Sequence, residues 1–210
     1  MFLNAFRQVG NDLFAAGLNN SHSGNLSVRL DAQRMVITKT GCMLHHIDHP
    51  DLITTGIEEN DANTVKASRE IPVHRSIYQH TNAKAIVHAH SPHIVAFSLS
   101  GKHIENGRLM LEDAEGRYYY PDGVVVVEAK NAIASEEVAE LVIPAFKVAP
   151  IVIVKGHGTF AIGETLEEAY HWTSGLEHSA RILAISSKPE ALSSKQEAGS
   201  LKLEALSSKL

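Results

Sequence analysis

The longest apolar runs in this chain are short, Val124–Val127 and residues 149–154. A membrane helix needs roughly 18 to 20 consecutive apolar residues, so the interior has to be assembled from separate short strands and amphipathic helices. A chain of that kind folds by layering helices on a sheet, and 210 residues, 44% of them hydrophobic, suffice for one core. The opening residues, MFLNAFRQVGND, carry polar groups where a secretory leader is apolar, which predicts a soluble, cytoplasmic protein with no membrane partner. The net charge of −5 offers no electrostatic footprint for a phosphate backbone, so nucleic acid is not an expected partner. The single cysteine, Cys42, excludes an intrachain disulfide and a CxxC metal knuckle. Any metal must therefore be held by histidine and carboxylate, and the chain has 13 histidines.

Along the chain, Phe2, Phe6, Val9, Leu13 and Leu18 recur at helical spacing and predict an opening helix that stops near Gly17. NNSHSGNLSVRL then moves from turn residues to alternating Leu26, Val28 and Leu30, and MVITKTGC is a second strand running into a Thr-Gly turn. Residues 51–67 show no useful period. SREIPVHRSIYQH places Ile71, His74, Ile77 and Tyr78 on one helical face, with Pro72 tolerable only in the first turn, so a helix starts close to Glu70. AKAIVHAH is a short β-rich run, SPHIVAFSLSG a helix, and RYYYPDGVVVVE a Pro-Asp-Gly turn between an aromatic run and a valine run. SEEVAELVIPAF is a helix, APIVIVKGHGTF a buried strand entering a Gly-His-Gly turn, and ETLEEAYHWTSGLEHSARILAI a long final helix. We expect one α/β domain over residues 1–185. Residues 186–210 form a seven-residue repeat with Glu190, Glu197 and Glu204 in register, a tail expected to be a weak helix or disordered.

His88 and His90 lie two apart on a predicted strand, so both imidazoles point to one side of the sheet, as needed to clasp one ion. A catalytic zinc site takes about three protein ligands and leaves a position open. His157, set between two glycines after a buried strand, is the candidate third ligand, and His93 is its competitor. Glu70 opens a helix just before the histidine strand. It is either a base beside the metal, a fourth ligand, or an acid that complements the helix dipole. Asn25, Thr40 and Ser68 are read as turn residues, two of them beside Gly24 and Gly41, and they suit either an anion or ordinary turn chemistry.

Taken in order, SGNLSVR, ITKTG, SREIPVHRSIY, IVHAHSPH and KGHGTFAIGETLEEAY resemble the class II aldolase and adducin head family. The resemblance implies a three-layer α/β/α domain with a largely antiparallel central sheet, assembled as a homotetramer with active sites at subunit interfaces. It implies Zn2+ or another divalent metal on His88, His90 and His157, and Glu70 as the acid/base. It implies a phosphate cradle made of Gly24, Asn25, Thr40, Gly41 and Ser68. The reaction implied is cleavage of a ketose 1-phosphate, such as fuculose 1-phosphate, through an enediolate to dihydroxyacetone phosphate and an aldehyde.

The chain departs from the family pattern in two places. Arg69 stands where a second serine is usual, which either strengthens anion binding or signals a different anion such as a carboxylate. The segment that supplies a tyrosine proton donor from a neighbouring subunit offers Tyr118, Tyr119 and Tyr120, of which Tyr119 is our choice. Two rivals stay open at this point. One is epimerisation or dehydration of a sugar phosphate on the same site, and the other is a non-catalytic adducin-like scaffold.

Overall fold

The structure is a computed structural model, and it describes residues 2–187. The tail expected from residue 186 onward therefore lies almost wholly outside the described residues. In chain order the elements are α1 (Phe2–Ala15), β1 (Asn25–Arg29), β2 (Arg34–Thr38), β3 (Leu52–Gly56), α2 (Ile71–His80) and β4 (Ala85–Ala89). They continue with α3 (Pro92–Ser100), β5 (Ile104–Glu105), β6 (Arg108–Leu109), α4 (Ala114–Tyr119) and β7 (Val124–Val127). The last are α5 (Glu136–Leu141), β8 (Ile151–Val154), β9 (Gly158–Gly163) and α6 (Leu166–Ser186).

The strands form one sheet in the order β3-β2-β1-β4-β9-β8-β7-β6-β5. Every described pairing is antiparallel except β7 with β8. The strand period of two divides the interior into two layers. Ala85, Val87 and Ala89 of β4 pack with Phe6, Val9 and Leu13 of α1, Ile94 of α3 and Leu176 of α6. Ile86, between them, belongs to the opposite layer with Val73 and Ile77 of α2, Val138 of α5 and Phe160 of β9. Each buried Val, Leu, Ile or Phe among them contributes roughly 1.5 to 3 kcal/mol by leaving water, and each alanine methyl less. The result is the helix–sheet–helix sandwich that the sequence led us to expect. Among the described residues no helix is long and apolar enough to cross a membrane.

Three local features complete or correct the sequence reading. Residues 51–67 contain β3, which the sequence did not reveal because it is an edge strand with a single buried residue, Thr55. The aromatic run, to which the sequence reading assigned no element, is helical through Tyr119, and Asp113 caps α4 by accepting from the Gly116 amide. The helix expected over SEEVAELVIPAF ends at Leu141, and Ile143–Lys147 continues as a tighter 3-10 turn because Pro144 cannot donate to the α-helical ladder.

Candidate active site

β4 carries the first two imidazoles. His88 lies opposite Asn25 on one side and Phe160 on the other, and its ring stacks on Phe160 with centroids 4.2 Å apart. His90 follows one residue past the strand end, on the same side of the sheet, and its amide is held by Asn19 Oδ1 at 2.9 Å. The third imidazole arrives through the β8–β9 hairpin. Gly156 takes a left-handed φ of +71° there, and a Cβ on Gly158 would sit 2.1 Å from the Ala89 carbonyl oxygen. Only a glycine hairpin can press so closely on the end of β4, and this approach puts the His157 ring 4.7 Å from His88 and 4.8 Å from His90.

One ring nitrogen from each of His88, His90 and His157 lies within 4.8 Å of the others. The His88 Nδ1–H donates to the Thr159 carbonyl at 2.9 Å, which leaves the Nε2 lone pair free, 3.0 Å from His90 Nε2. A backbone carbonyl that fixes the tautomer of a ligand histidine is a recurrent support for a metal site. Burial pushes the His88 pKa well below its ordinary value and that of His157 down to about 4, so both rings stay in the neutral form that binds metal. Among the described residues, His157 Nδ1 and Glu70 Oε2 are both buried without a hydrogen-bond partner in this same place. The donor set therefore fits a divalent cation.

Glu70 is the N-cap residue of α2, yet its side chain makes no capping bond. Its Oε1 accepts from the Ala134 amide at 3.0 Å and lies 3.7 Å from His157 Nε2. Burial raises its pKa to about 7, against the lowering effects of the Ala134 bond and of Arg69. Ala134 presents that amide from a left-handed φ of +52°, unusual for alanine, at the edge of the site. His93, the competing ligand, is engaged elsewhere: its Nδ1 meets Glu177 Oε1 at 2.7 Å, and the same carboxylate accepts from the His93 and Ile94 amides at the start of α3.

The trio and Glu70 form one wall of a cleft of about 360 Å³, and Gly24, Asn25, Thr40, Gly41 and Ser68 form another. Gly24 has φ +77°, and a Cβ there would meet Asn19 Nδ2 at 2.3 Å and the His88 carbonyl at 2.7 Å. The Thr40 hydroxyl donates to the Ala67 carbonyl at 2.7 Å, and Ser68 Oγ accepts from the Glu70 amide at 3.3 Å. Asn25 is not a turn residue. It is the first residue of β1, and its side-chain oxygen is turned inward to His74 at 2.5 Å. Lys39, Cys42 and Ile133 also line the cleft, although the sequence reading did not single them out for the site. The position of Lys39 beside the Thr-Gly turn was the available signal, and its amine pairs with Asp51 at 2.6 Å. The Cys42 thiol is pushed up to about 11 by burial, so it stays protonated and unreactive near neutral pH. Within one chain Tyr119 does not reach this cleft. It packs against His171 and Trp172 and lines a separate cavity of about 540 Å³ with His93 and Glu177.

This geometry is matched by sequence. Residues 4–184 match the Class II Aldolase and Adducin N-terminal domain. The chain belongs to that family. It is similar to L-fuculose-1-phosphate aldolase from Thermus thermophilus, with 38% identity and a TM-score of 0.79 over 89% of this chain and 97% of that one. It is 28% identical to 3-oxo-tetronate 4-phosphate decarboxylase of Haemophilus influenzae, over 83% of each chain. It is 27% identical to methylthioribulose-1-phosphate dehydratase of Hahella chejuensis, over 81% of this chain and 86% of that one. The protein is thus an enzyme of the class II aldolase type, with an α/β fold shared by these relatives.

Proposed function

We propose that this enzyme cleaves a ketose 1-phosphate of the fuculose 1-phosphate kind to dihydroxyacetone phosphate and an aldehyde. The observation that carries this reading is the position of Glu70. Its carboxylate is 3.7 Å from one imidazole of the trio, and its own amide is bonded to Ser68 on the polar wall, so it stands between the two ends of one cleft.

His88, His90 and His157 would hold a divalent metal, zinc in our reading, which when bound supplies Lewis-acid polarisation of the substrate carbonyl. Gly24, Asn25, Thr40, Gly41 and Ser68 bind the phosphate, with Gly24 and Gly41 allowing close approach of the backbone. As the C3–C4 bond breaks, its electron pair stays on C3, and Glu70 delivers a proton to that carbon. In condensation the same carboxylate removes it. In the metal-free chain burial raises the Glu70 pKa to about 7, which marks it as a carboxylate able to take up and release a proton near neutral pH. The proton of the C4 hydroxyl leaves to a second group. We assign that role to Tyr119 of a neighbouring copy, in a homotetramer whose sites lie at subunit interfaces in the cytoplasm.

Arg69 gives a second reading a specific basis. It lines the cleft beside Glu70 and adds a cation to the phosphate end, which favours a substrate with a further anionic group. Decarboxylation, epimerisation or dehydration of a sugar phosphate would use the same imidazoles and carboxylate. Metal analysis comes first, followed by a panel of ketose 1-phosphates assayed for dihydroxyacetone phosphate. Phosphorylated sugar acids are assayed for carbon dioxide in parallel. Release of dihydroxyacetone phosphate from none of the ketose phosphates would overturn the aldolase assignment. Carbon dioxide released from a phosphorylated sugar acid, with no dihydroxyacetone phosphate from any ketose, would favour the second reading.

A further inference from the structure

A file of buried polar side chains runs from the cleft into the layer beneath it. Asn25 Oδ1 is 2.5 Å from His74 Nε2, His74 Nδ1 is 2.6 Å from Ser27 Oγ, and Ser27 Oγ is 2.7 Å from the Tyr78 hydroxyl. Ser27 and His74 are fully buried, Tyr78 is 2% exposed, and Asn25 is 5% exposed at the cleft wall. The elements that bring them together are β1, whose residues 25 and 27 face α2, and α2, whose residues 74 and 78 are one turn apart.

The file admits two proton arrangements, and its closed end chooses between them. In one, each group donates towards the cleft: Tyr78 to Ser27, Ser27 to His74 Nδ1, and His74 Nε2–H to Asn25 Oδ1. In the other every bond is reversed, and the Tyr78 proton is left buried with no acceptor, since Ser27 is the only partner of that hydroxyl among the described residues. Leaving a buried donor unpaired is the costlier arrangement. Arg29 lies over the Tyr78 ring, 4.8 Å from its centroid, and donates to the Tyr78 carbonyl, which holds the phenol in place.

We propose that Tyr78, Ser27 and His74 form a one-way hydrogen-bond relay that orients Asn25, with the side-chain amide oxygen inward and the NH2 towards the cleft. His74 and Tyr78 are thus positioning residues for anion binding. An NH2 donates to phosphate, whereas a flipped amide would present an oxygen and repel it. The inference rests on the proposed phosphate role of the polar wall, and its test separates the two.

The test has two parts. In the wild-type protein, 15N spectroscopy of the histidines, with His74 located by a His74→Gln variant, should show Nε2 protonated and Nδ1 bare. A protonated Nδ1 overturns the relay. The metal-loaded wild type, Tyr78→Phe, Asn25→Ala and the double variant are then titrated with inorganic phosphate and assayed for KM and kcat. Tyr78→Phe keeps the packing but removes the proton that sets the direction. It should weaken phosphate binding and raise KM by about threefold to tenfold, the size of one net hydrogen bond, with a smaller change in kcat. Adding Tyr78→Phe to Asn25→Ala should cost nothing more in phosphate binding. Equal losses in both backgrounds would mark a purely structural role and overturn the proposal. If Asn25→Ala weakens binding and Tyr78→Phe does not, the relay fails while the phosphate reading stands. If Asn25→Ala binds phosphate as wild type does, the phosphate reading itself fails, and the relay's assigned role with it.

Discussion

Glu70 Oε1 lies 3.7 Å from His157 Nε2, while the other oxygen of the same carboxylate is buried with no hydrogen bond. A carboxylate kept that far from solvent with half its acceptors idle is a poor stabilising device and a good proton carrier.

Glu70→Gln preserves the shape and the Ala134 contact but cannot exchange a proton. Turnover should fall by roughly 10² to 10⁴, the usual worth of a positioned acid/base, with metal content unchanged. Steady-state kinetics with metal analysis of the same sample checks this. Native turnover in the variant would reduce Glu70 to a helix-start residue.

His88→Ala, His90→Ala and His157→Ala should each lose the bound divalent metal while keeping the circular dichroism of the fold, because the two apolar layers close without an ion. His93→Ala should retain the metal, since its ring is committed to Glu177 rather than to the trio. Elemental analysis after dialysis against a chelator and reloading with zinc distinguishes the two classes. Full occupancy in His157→Ala would refute the ligand assignment.

How much of this was legible in the sequence depends on how far apart the interacting groups lie. The period of two in VHAH puts His88 and His90 on one face through local geometry alone, and the glycines around His157 announce a tight turn. Glu70 was visible from Pro72 and the apolar spacing that follows it. The Asn25–His74 bond joins residues 49 apart and needs both the β1–β4 register and the seat of α2 on the sheet, neither of which has a local signature. The displacement of Tyr119 to the other cavity is likewise decided by packing against α6, not by the run of tyrosines itself.

Acid should destabilise the metal-free protein in a defined window. The His74 pKa is held down to about 3 in the fold by burial, against 6.5 for a free side chain. Between these values the unfolded chain binds a proton that the folded one refuses, so stability falls as pH drops, by at most about 1.4 kcal/mol per unit for this group. His88 and His157 shift in the same direction and add to the slope. His74→Asn should lower stability near neutral pH yet make the acid slope shallower by about one proton. Denaturant melts across the window measure it, and an unchanged slope would show that His74 is not buried neutral.

Gly158→Ala should be more damaging than Gly41→Ala, above all to the imidazole trio. At Gly158 a methyl group would meet the Ala89 carbonyl at 2.1 Å, whereas at Gly41 nothing lies within 4 Å and only the left-handed φ of +71° is strained. Overpacking costs about 1 to 3 kcal/mol, and here it would also push the hairpin carrying His157 away from β4. Thermal melts and zinc affinity should both decline for Gly158→Ala. For Gly41→Ala, stability should fall by only about 1 to 2 kcal/mol, with zinc affinity kept.

If Thr40 binds the phosphate as proposed, Thr40→Ala should act mainly on KM, since an interaction remote from the breaking bond is felt equally in ground and transition states. Its hydroxyl also tethers the turn to the Ala67 carbonyl at 2.7 Å, so a small loss of stability should accompany the kinetic change. A fall in kcat without a change in KM would place Thr40 at the chemistry instead.

Asn25 and His88 are direct cross-strand partners in the β1–β4 register. The distance from the polar wall of the cleft at Asn25 to the imidazole trio is therefore fixed by main-chain pairing in the middle of the sheet, where slipping by one residue would turn every side chain to the wrong face. The enzyme carries a ruler that its loops cannot stretch. On the proposed phosphate reading, substitutions around the rim change which groups are tolerated along a substrate, while the number of bonds between its phosphate and its reacting carbon is set by the sheet.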